Sequence, residues 1–349
     1  MLPNLVSALT AFAFSALLVP LAARAARQRK LLDVPNERSS HKKPTPRIGG
    51  VGIVLGAALG GAVTCVGFGI PISAQAAGLL VSLVAGAAVG FADDLLQLKT
   101  GLRLLLYLVC AFGAYAFGAS IDVFHIPGAG SIFLGGAFGA VFSVLFIVWY
   151  TNLFNFMDGI NGIAASTSLV TMGALSYLFG AAGIPLEASL AAGIAGASLG
   201  FLFYNFPKAS VFMGDGGAVF IGLAAGALSL RAVDLALIST HGVVLLMFPF
   251  VFDATFTLIR RMVRRERFWA AHRTHVYQQL CDLGFSHARI TGMYFIAAVA
   301  CAVLGLAYHR LPLSVRLIAL SLLIVAAFWT ARYVIVHNPY ASQPSRDDT

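Results

Sequence analysis

Four aspartates stand in short polar turns between long apolar runs of the 349-residue sequence. Asp93 and Asp94 are adjacent in one turn, Asp158 lies in a second and Asp215 in a third. Asparagines accompany these turns at four positions: Asn152, Asn155, Asn161 and Asn205. Mg²⁺ prefers oxygen ligands and, where phosphates are processed, takes one or two carboxylates together with phosphate oxygens and water. The aspartates and asparagines therefore predict a site for a divalent cation and a phosphate substrate.

Basic side chains near these turns suit the oxygens of a phosphate: Lys99, Arg103, His272, Arg273 and His275. Metal ligands beside phosphate-binding cations are typical of phosphoryl transfer, in which positioning and charge neutralisation carry most of the catalysis. The alternative is that each acid only pairs with a loop arginine at a membrane surface. That alternative fits any single aspartate, but it accounts less well for four of them in Gly- or Asn-rich turns.

The elements that must position these residues are apolar segments. The chain is 59% apolar and 11% charged, with a mean hydropathy of +0.87, whereas a soluble protein has about 25% charged residues. Continuous apolar runs indicate helices rather than the alternating strands of a barrel. We predict an all-α, polytopic integral membrane bundle with ten to eleven transmembrane helices, a single transferase domain over 1–349. The runs lie near 3–23, 48–68, 74–92, 102–120, 132–151, 162–180, 187–204, 217–231, 239–259, 289–308 and 313–335.

The lysines and arginines predict how these spans are oriented. If residues 24–47 are cytoplasmic, twenty of the 23 lysines and arginines fall inside and three outside, a strong positive-inside asymmetry. The N-terminus is then outside, the first span is uncleaved and the C-terminus is cytoplasmic. The four aspartates all reach the cytoplasmic face, and the basic charge reflects topology rather than nucleic acid. The predicted cytoplasmic loops lie near 24–47, 93–102, 152–161, 205–216 and 260–288.

Four stretches resemble the polyprenyl-phosphate N-acetylhexosamine-1-phosphate transferases, the glycosyltransferase family 4 superfamily. Residues 33–50 look like the first cytoplasmic loop of that family, and 90–99 (GFADDLLQLK) are similar to its paired-aspartate motif. Residues 152–162 (NLFNFMDGING) match its N-x-x-N-x-x-D-G-x-[DN]-G pattern, and 212–217 (FMGDGG) match its F-M-G-D-[ST]-G motif. Each match is weak alone, but four in the family's order are specific.

The resemblance implies transfer of a sugar-1-phosphate from a UDP-N-acetylhexosamine to polyprenyl phosphate, with release of UMP. It implies a Mg²⁺ site, which Mn²⁺ would also fill, at Asn155 and Asp215. The catalytic residues that it implies are Asp93, Asp94, Asp158 and His275. Nucleotide contacts are implied for Gly159, Asn161, Asn205 and Phe212. Contacts with phosphates are implied for Lys43, Arg47, Arg103, His272 and Arg273.

Two departures from the family pattern bear on the substrate. Asn161 replaces the aspartate of many members, and the last loop has the form H-R-T-H-V-Y-Q at 272–278 without a run of adjacent histidines. Together they look closest to the bacterial branch that starts O-antigen or related surface polysaccharides, in the inner membrane with its site on the cytoplasmic face. A phospho-MurNAc-pentapeptide transferase of peptidoglycan synthesis is the nearer alternative. Three questions stay open: which sugar the donor carries, whether an aspartate forms a covalent intermediate, and whether the protein is a homodimer.

Three other classes of function are weighed against transfer. A secondary transporter places its ligands near the bilayer midplane, whereas here the acids lie at span ends, apart from Asp253. A CDP-alcohol phosphatidyltransferase needs an Ala-Arg pair and later acids that Asp158-Gly159 lacks. A non-catalytic scaffold leaves the oxygen-rich motifs unexplained. Asp253 itself is predicted to be a buried hydrogen-bonded partner rather than a catalytic residue. Four cysteines without a C-x-x-C pair suggest neither a zinc site nor a disulfide framework.

Overall fold

The computed structural model describes residues 1–29, 31–34, 43–126, 130–267 and 272–338. Parts of the predicted loops near 24–47 and 260–288 lie outside these residues, as does Arg346. The described ranges form an all-α protein, as predicted, with thirteen α-helices, one 3₁₀ turn at Tyr308–Arg310 and two short hairpins. The helices are α1 Leu2–Gln28, α2 Gly49–Phe68, α3 Ala74–Leu96, α4 Thr100–Ala116, α5 Gly136–Met157, α6 Ile163–Ala181, α7 Pro185–Asn205, α8 Asp215–Asp234, α9 Thr240–Leu246, α10 Phe248–Val263, α11 Val276–Asp282, α12 His287–Ala307 and α13 Leu313–His337. The strands are β1 Leu32–Asp33, β2 Thr45–Pro46, β3 Val123–Ile126 and β4 Gly130–Phe133.

The apolar runs of the sequence coincide with these helices. Nine helices in the described residues are long and apolar enough to cross a membrane. The bent pair α9–α10 supplies a tenth candidate, and α4 is a shorter apolar helix. These eleven elements correspond to the eleven predicted runs and confirm a polytopic membrane protein.

The apolar run at 239–259 forms two helices rather than one straight helix. The segment breaks between α9 and α10, and the two helices meet at an angle of 88°. Pro249 stands in the first turn of α10, where its missing N–H does no harm, whereas inside a continuous helix it removes a hydrogen bond and clashes with the preceding turn. A hydropathy pattern does not register this break, because both fragments are apolar.

The helix α8 occupies the centre of the bundle. Nearly all of its residues are buried, and it packs against α3, α5 and α2. Glycines permit these close contacts: a Cβ added at Gly222 would lie 2.8 Å from the Cα of Thr151, and one at Gly90 would lie 2.4 Å from the carbonyl oxygen of Asp215. Small residues thus let the backbones of α8 and its neighbours approach closely, without large apolar side chains between them, as in many membrane bundles.

Successive spans run in opposite directions, so alternate helix ends collect on one face of the bundle, called here the site face. It carries the amino ends of α2, α4, α6 and α8 and the carboxyl ends of α3, α5 and α7. The β1–β2 pair lies there, joined in register Leu32↔Pro46. The amide of Phe212 donates to the carbonyl of Pro46, and the amide of Gly49 donates to the carbonyl of Phe212, each over 2.8 Å. The segment before α2 is therefore attached to the loop before α8.

Candidate active site

The site face brings the four predicted aspartates together around the amino end of α8. Asp215 is the first residue of α8, Asp93 and Asp94 lie in the last turn of α3, and Asp158 directly follows α5. The carboxyl groups of Asp93 and Asp215 contact each other. Asp158 and Asp215 line the same cleft. Three turns far apart in the sequence thus form one acidic cluster.

Asp94 holds the amino end of α8 in place. Its Oδ1 accepts a hydrogen bond from the amide of Asp215 and its Oδ2 accepts one from the amide of Gly216, both at 3.0 Å. The first amides of a helix have no partner within the helix, and a carboxylate satisfies them while balancing the positive end of the helix dipole. Both oxygens of Asp94, predicted as catalytic, therefore contact the backbone that carries Asp215.

Asp93 is buried and pairs with the arginine of the next helix. Its Oδ2 lies 2.9 Å from Nη1 of Arg103, and its Oδ1 accepts a hydrogen bond of 2.8 Å from the amide of Leu98. Arg103 is still partly exposed. Its guanidinium is therefore accessible, and the carboxylate of Asp93 fixes its orientation. Asp93 also faces Asp215, so it links this cation to the acidic cluster.

Arg47 bridges two of the acids from the segment before α2. Its Nη2 contacts Oδ1 of Asp215, and its Nε lies 3.3 Å from Oδ1 of Asp94. Burial by itself lowers the pKa of Arg47, but the charges of Asp215 and Asp94 outweigh burial and raise the pKa above its ordinary value. The guanidinium therefore stays charged beside Asp215.

Asn155 and Asp215 have the donor atoms that a divalent cation needs. Asn155, in the last turn of α5, donates a hydrogen bond of 3.0 Å from Nδ2 to Oδ1 of Asp215, so an amide and a carboxylate stand side by side. Mg²⁺ in phosphate-processing sites takes one or two carboxylates, completed by phosphate oxygens and water. The residues present fit that donor set, and both line the two clefts described next.

A polar cleft of about 220 Å³ opens on one side of Asp215. It is bordered by the turn after α5 and by the loop before α8. Burial, together with the charges of Asp215 and Asp94, raises the pKa of Asp158 well above its usual range, against the opposing charge of Arg47. The residues that line the polar cleft are Asp33, Arg47, Asn155, Asp158, Gly159, Ile160, Asn161, Asn205, Phe212, Met213, Gly214, Asp215, Gln278 and His287.

All four predicted nucleotide-binding residues border this polar cleft, and Asn205 and Gly159 also help to build its walls. Asn205 is buried; its Oδ1 accepts from the amide of Gly162 at 2.6 Å, and its Nδ2 donates to the carbonyl of Val211 at 2.9 Å. A Cβ at Gly159 would lie 2.0 Å from the hydroxyl of Tyr277. Asn205 and Gly159 therefore shape the walls of the cleft, whatever else they contact.

A larger amphipathic cleft of about 790 Å³ opens on the other side of Asp215. Its polar end combines the Asp93–Arg103 pair with His272 and His275. Its remaining walls are largely apolar, contributed by α4, α5 and α10, and include Leu104, Leu145, Val148, Trp149 and Leu258. Arg47, Asn155, Asp215 and Gln278 line both clefts, so the two open to each other at Asp215.

The predicted phosphate-binding residues separate into two groups. Arg47, Arg103 and His272 line the amphipathic cleft. Burial, with the nearby His275, Arg261 and Arg260, lowers the pKa of His272 to about 3, so its ring is uncharged at neutral pH. The other two lie elsewhere: Lys43 is exposed and lines neither cleft, and Arg273 pairs with Asp282 at 3.0 Å. The structure does not bring these two to the acidic cluster.

Gln278 and Trp149 are among the residues at the site that were not predicted to belong to it. Gln278 lies at the junction of the clefts, and Trp149 forms part of the apolar wall. Gln278 ends the H-R-T-H-V-Y-Q segment, so its place in that motif was an available signal. Trp149 lies in a continuous apolar run, and no sequence pattern distinguishes a cleft-lining tryptophan there from one that faces lipid.

Comparison with known proteins agrees with this architecture. The model of glycosyl transferase family 4 matches residues 76–233. A Bacillus subtilis protein described as a probable undecaprenyl-phosphate N-acetylglucosaminyl 1-phosphate transferase is 30% identical, over 78% of this chain and 75% of its own length. A decaprenyl-phosphate N-acetylglucosaminephosphotransferase of Mycobacterium tuberculosis is 29% identical over 75% of this chain and 72% of its own. A phospho-N-acetylmuramoyl-pentapeptide-transferase of Geobacillus kaustophilus is 29% identical over 86% of this chain and 95% of its own.

These similarities and the fold define an integral membrane protein whose polar site lies at one end of a helical bundle. The chain belongs to the superfamily of polyprenyl-phosphate hexosamine-1-phosphate transferases.

Proposed function

We propose that this protein transfers an N-acetylhexosamine-1-phosphate from a UDP-sugar to a polyprenyl phosphate, releases UMP and leaves a lipid-diphosphate sugar. The observation that carries the proposal is the position of Asp215, where a polar cleft and an amphipathic cleft meet. A transferase that joins a water-soluble donor to a lipid acceptor needs two such compartments with one reaction centre between them. The names of the relatives from Bacillus and Mycobacterium agree with this chemistry.

The amphipathic cleft suits the lipid phosphate. Its walls Leu104, Leu145 and Trp149 favour burial of apolar chain surface, at roughly 25 cal/mol per Å². Its polar end offers Arg103, held by Asp93, to a phosphate that must remain at the membrane edge. The acceptor would thus lie with its chain along the apolar walls and its phosphate close to Asp215.

The polar cleft suits the nucleotide part of the donor. Phe212 offers an aromatic ring for stacking, and Asn161 offers an amide, whose oxygen accepts and whose nitrogen donates, as a uracil edge requires. Two contacts hold Asn161 in place. Its side-chain Nδ2 donates to the backbone carbonyl of Pro207 at 3.1 Å, and its backbone carbonyl accepts from the hydroxyl of Thr291 at 2.7 Å. We propose that the uridine lies here and that the diphosphate extends toward Asp215.

Charge neutralisation is the main catalytic problem, because the donor and the acceptor are both anions. A Mg²⁺ held by Asn155 and Asp215, with Mn²⁺ as a substitute, would neutralise the pyrophosphate and stabilise the departing UMP. Arg47 and Arg103 supply fixed positive charge on either side of Asp215. Asp94 keeps Asp215 aligned through the amino end of α8.

In the reaction an oxygen of the lipid phosphate forms a bond to the β-phosphorus of the UDP-sugar. The bond from that phosphorus to the oxygen bridging it to the α-phosphorus breaks, and UMP leaves with the electron pair. The geometry favours direct displacement over an aspartyl intermediate. Both oxygens of Asp93 and both of Asp94 already accept hydrogen bonds, so a nucleophilic carboxylate would first have to break them.

We further propose that the site face is cytoplasmic, where nucleotide sugars are made, and that the membrane is a bacterial inner membrane. The support is the asymmetry of twenty basic residues against three. The pathway that we propose is the start of O-antigen or a related surface polysaccharide. Transfer of phospho-MurNAc-pentapeptide is the competing assignment, favoured by a relative that this chain matches over 95% of that relative's length.

The test is an assay of purified protein in membranes with undecaprenyl phosphate, Mg²⁺ and a panel of UDP-sugars. The panel contains UDP-GlcNAc, UDP-GalNAc and UDP-MurNAc-pentapeptide, and the readout is UMP together with the lipid product. We expect UMP release with an N-acetylhexosamine donor, only when lipid phosphate is present. Release with UDP-MurNAc-pentapeptide alone would move the protein to peptidoglycan synthesis. Uptake of a solute by proteoliposomes with no UMP release would replace the proposal by transport.

A further inference from the structure

A fully buried carboxylate lies behind the amphipathic cleft. Asp253, in α10, is 1% exposed. Its Oδ1 lies 2.9 Å from the amide of Val276 and 3.2 Å from Nδ1 of His275, and its Oδ2 lies 3.0 Å from the amide of Tyr277 and 2.6 Å from the hydroxyl of Tyr294. The prediction that Asp253 is a buried hydrogen-bonded partner is confirmed. The identity of its partners points to a more specific task.

The partners of Asp253 favour the ionised carboxylate. Each carboxyl oxygen of Asp253 accepts a hydrogen bond from a backbone amide. A backbone amide can only donate, so a proton on either oxygen could not point toward that amide. A buried carboxylate that accepts several such bonds is held in its charged form. Beside an ionised carboxylate, which is an acceptor only, His275 would carry the shared proton on Nδ1 of its ring.

The same contacts orient the ring of His275. His275 is the residue immediately before α11, and Asp253 binds the first two amides of that helix, so ring and helix are attached to one carboxylate. Phe156, His272 and Tyr277 surround the ring at centroid distances of 6.3, 5.0 and 5.7 Å. Because His275 lines the amphipathic cleft and its Nδ1 faces Asp253, Nε2 is the ring nitrogen left to meet a substrate.

We propose that Asp253 is a positioning residue for the transfer reaction, holding His275 as the Nδ1–H tautomer so that Nε2 receives the proton of the lipid phosphate. The inference rests on the proposed function and deepens it. A phosphate monoester loses its second proton near pH 6, so part of the acceptor arrives as the monoanion. The O–H proton of that monoanion passes to Nε2, and the resulting dianion attacks. Asp253 stabilises the imidazolium until its proton passes to solvent.

The pair resembles in its logic the aspartate and histidine of a catalytic triad, in which the carboxylate sets the tautomer and stabilises the charged ring. The titratable groups that surround the dyad come from the neighbouring elements: Tyr294 of α12, Tyr277 of α11, His272 of the preceding segment and Arg260 of α10. The uncharged His272 adds no positive charge beside the ring.

The test compares Asp253→Asn with Tyr294→Phe in the full-length protein. Tyr294→Phe removes one hydrogen bond from Oδ2 and leaves the contact of Oδ1 with His275, so it is the matched control. We expect UMP release to fall about 10²- to 10⁴-fold in Asp253→Asn and less than about threefold in the control. The loss should be greatest at low pH, where more of the acceptor is monoanionic, and the KM for the UDP-sugar should stay unchanged.

The tautomer is read directly by ¹⁵N NMR of histidine-labelled protein, with His275→Gln to assign the signal. The wild type should show the Nδ1–H form, and Asp253→Asn should show the Nε2–H form. An Nε2–H signal in the wild type would overturn the proposal without any variant, even if Asp253→Asn fails to fold. Equal losses of turnover in both variants, with the Nδ1–H signal retained, would reduce Asp253 to a folding role. The NMR measurement needs no substrate. It therefore tests the tautomer of His275 even if the wild type releases no UMP and the proposed function fails.

Discussion

The aspartates of the acidic cluster differ in what their oxygens meet. Asp94 binds the amino end of α8, and Asp93 binds Arg103 and the amide of Leu98. Asp215 faces Arg47 and Asn155 and lines both clefts. Among these three, Asp215 is the carboxylate that lines both clefts, so it is the one best placed to hold a cation.

The first prediction concerns Asp215→Asn. Because the substitution removes the charged oxygen from the proposed cation site, UMP release should fall at least about a hundredfold. Binding of Mn²⁺, followed by electron paramagnetic resonance, should weaken in parallel. Asp234→Asn, at the other end of the same helix and paired with Arg231, is the control and should leave both readouts unchanged. Normal Mn²⁺ binding in Asp215→Asn would remove Asp215 from the cation site.

The second prediction concerns Asp93→Asn. The variant keeps the hydrogen bond to the backbone but loses the charge that orients Arg103, so the lipid phosphate should be held less well. We expect turnover to drop about ten- to a hundredfold, while the Kd for UDP, measured by calorimetry, changes little. Near-normal turnover would show that the Asp93–Arg103 pair is not part of the reaction centre.

The third prediction concerns the pH dependence of His272. Its pKa is lowered to about 3, so the folded protein does not protonate this ring between about pH 5 and pH 8, where an ordinary histidine titrates. His272→Gln should therefore leave the shape of the pH–rate profile unchanged, even if the rate itself falls. A profile that loses its acid limb in this variant would show that His272 is protonated during the reaction.

At the scale of elements, the site depends on how closely α2 and α3 approach α8. A Cβ at Gly50 would lie 2.3 Å from the amide nitrogen of Gly217, and one at Gly90 would lie 2.4 Å from the carbonyl oxygen of Asp215. Backbone atoms of α8 cannot move aside as the end of a flexible side chain can. The two glycines therefore set the position of Asp215 without contacting its side chain.

The fourth prediction uses two glycines of α2. Gly50→Ala should destabilise the protein by about 1–3 kcal/mol through overpacking and should lower turnover, because α8 must shift. At Gly61 no other atom lies within 4 Å of an added Cβ, so Gly61→Ala should be neutral or stabilise by up to about 1 kcal/mol through helix propensity. Thermal unfolding in detergent and UMP release check both. Equal stability of the two variants would contradict the close α2–α8 packing.

At the scale of the whole molecule, the alternation of spans places every element of the site on one face. The other face carries different chemistry: Arg231 of α8 pairs there with Glu187 and Asp234. Its small cleft of about 200 Å³ is lined by Arg231, Glu187, Ser73 and Gln75 together with apolar residues. The acidic cluster and the two clefts that share Asp215 therefore lie at one end of the bundle.

The fifth prediction assigns that side. In a cysteine-free background, Lys99→Cys on the site face and Ala182→Cys on the opposite face are both exposed. Because the basic residues predict a cytoplasmic site face, a membrane-impermeant thiol reagent applied to intact cells should label Ala182→Cys and spare Lys99→Cys. Opening the membrane should make Lys99→Cys reactive. The reverse pattern of labelling would place the site outside.

The sequence by itself determined the membrane class, the helical segments and the three turns that carry the four aspartates. Hydropathy and motif spacing depend only on residues that are close together in the sequence, so the sequence contains them in full. The run at 217–231 is the shortest of the eleven, yet α8 is the central helix of the bundle, because a helix packed by glycines needs few large apolar residues.

Only the tertiary structure decided which predicted residues meet and what each one does there. It separated Asp94, bound to the start of α8, from Asp215 at the junction of the clefts, and it placed Lys43 and Arg273 away from both. It also paired Asp253 of α10 with His275, 22 residues further along the chain. Such pairings depend on helix direction, bend and approach distance, which long-range packing sets and residue type alone does not encode.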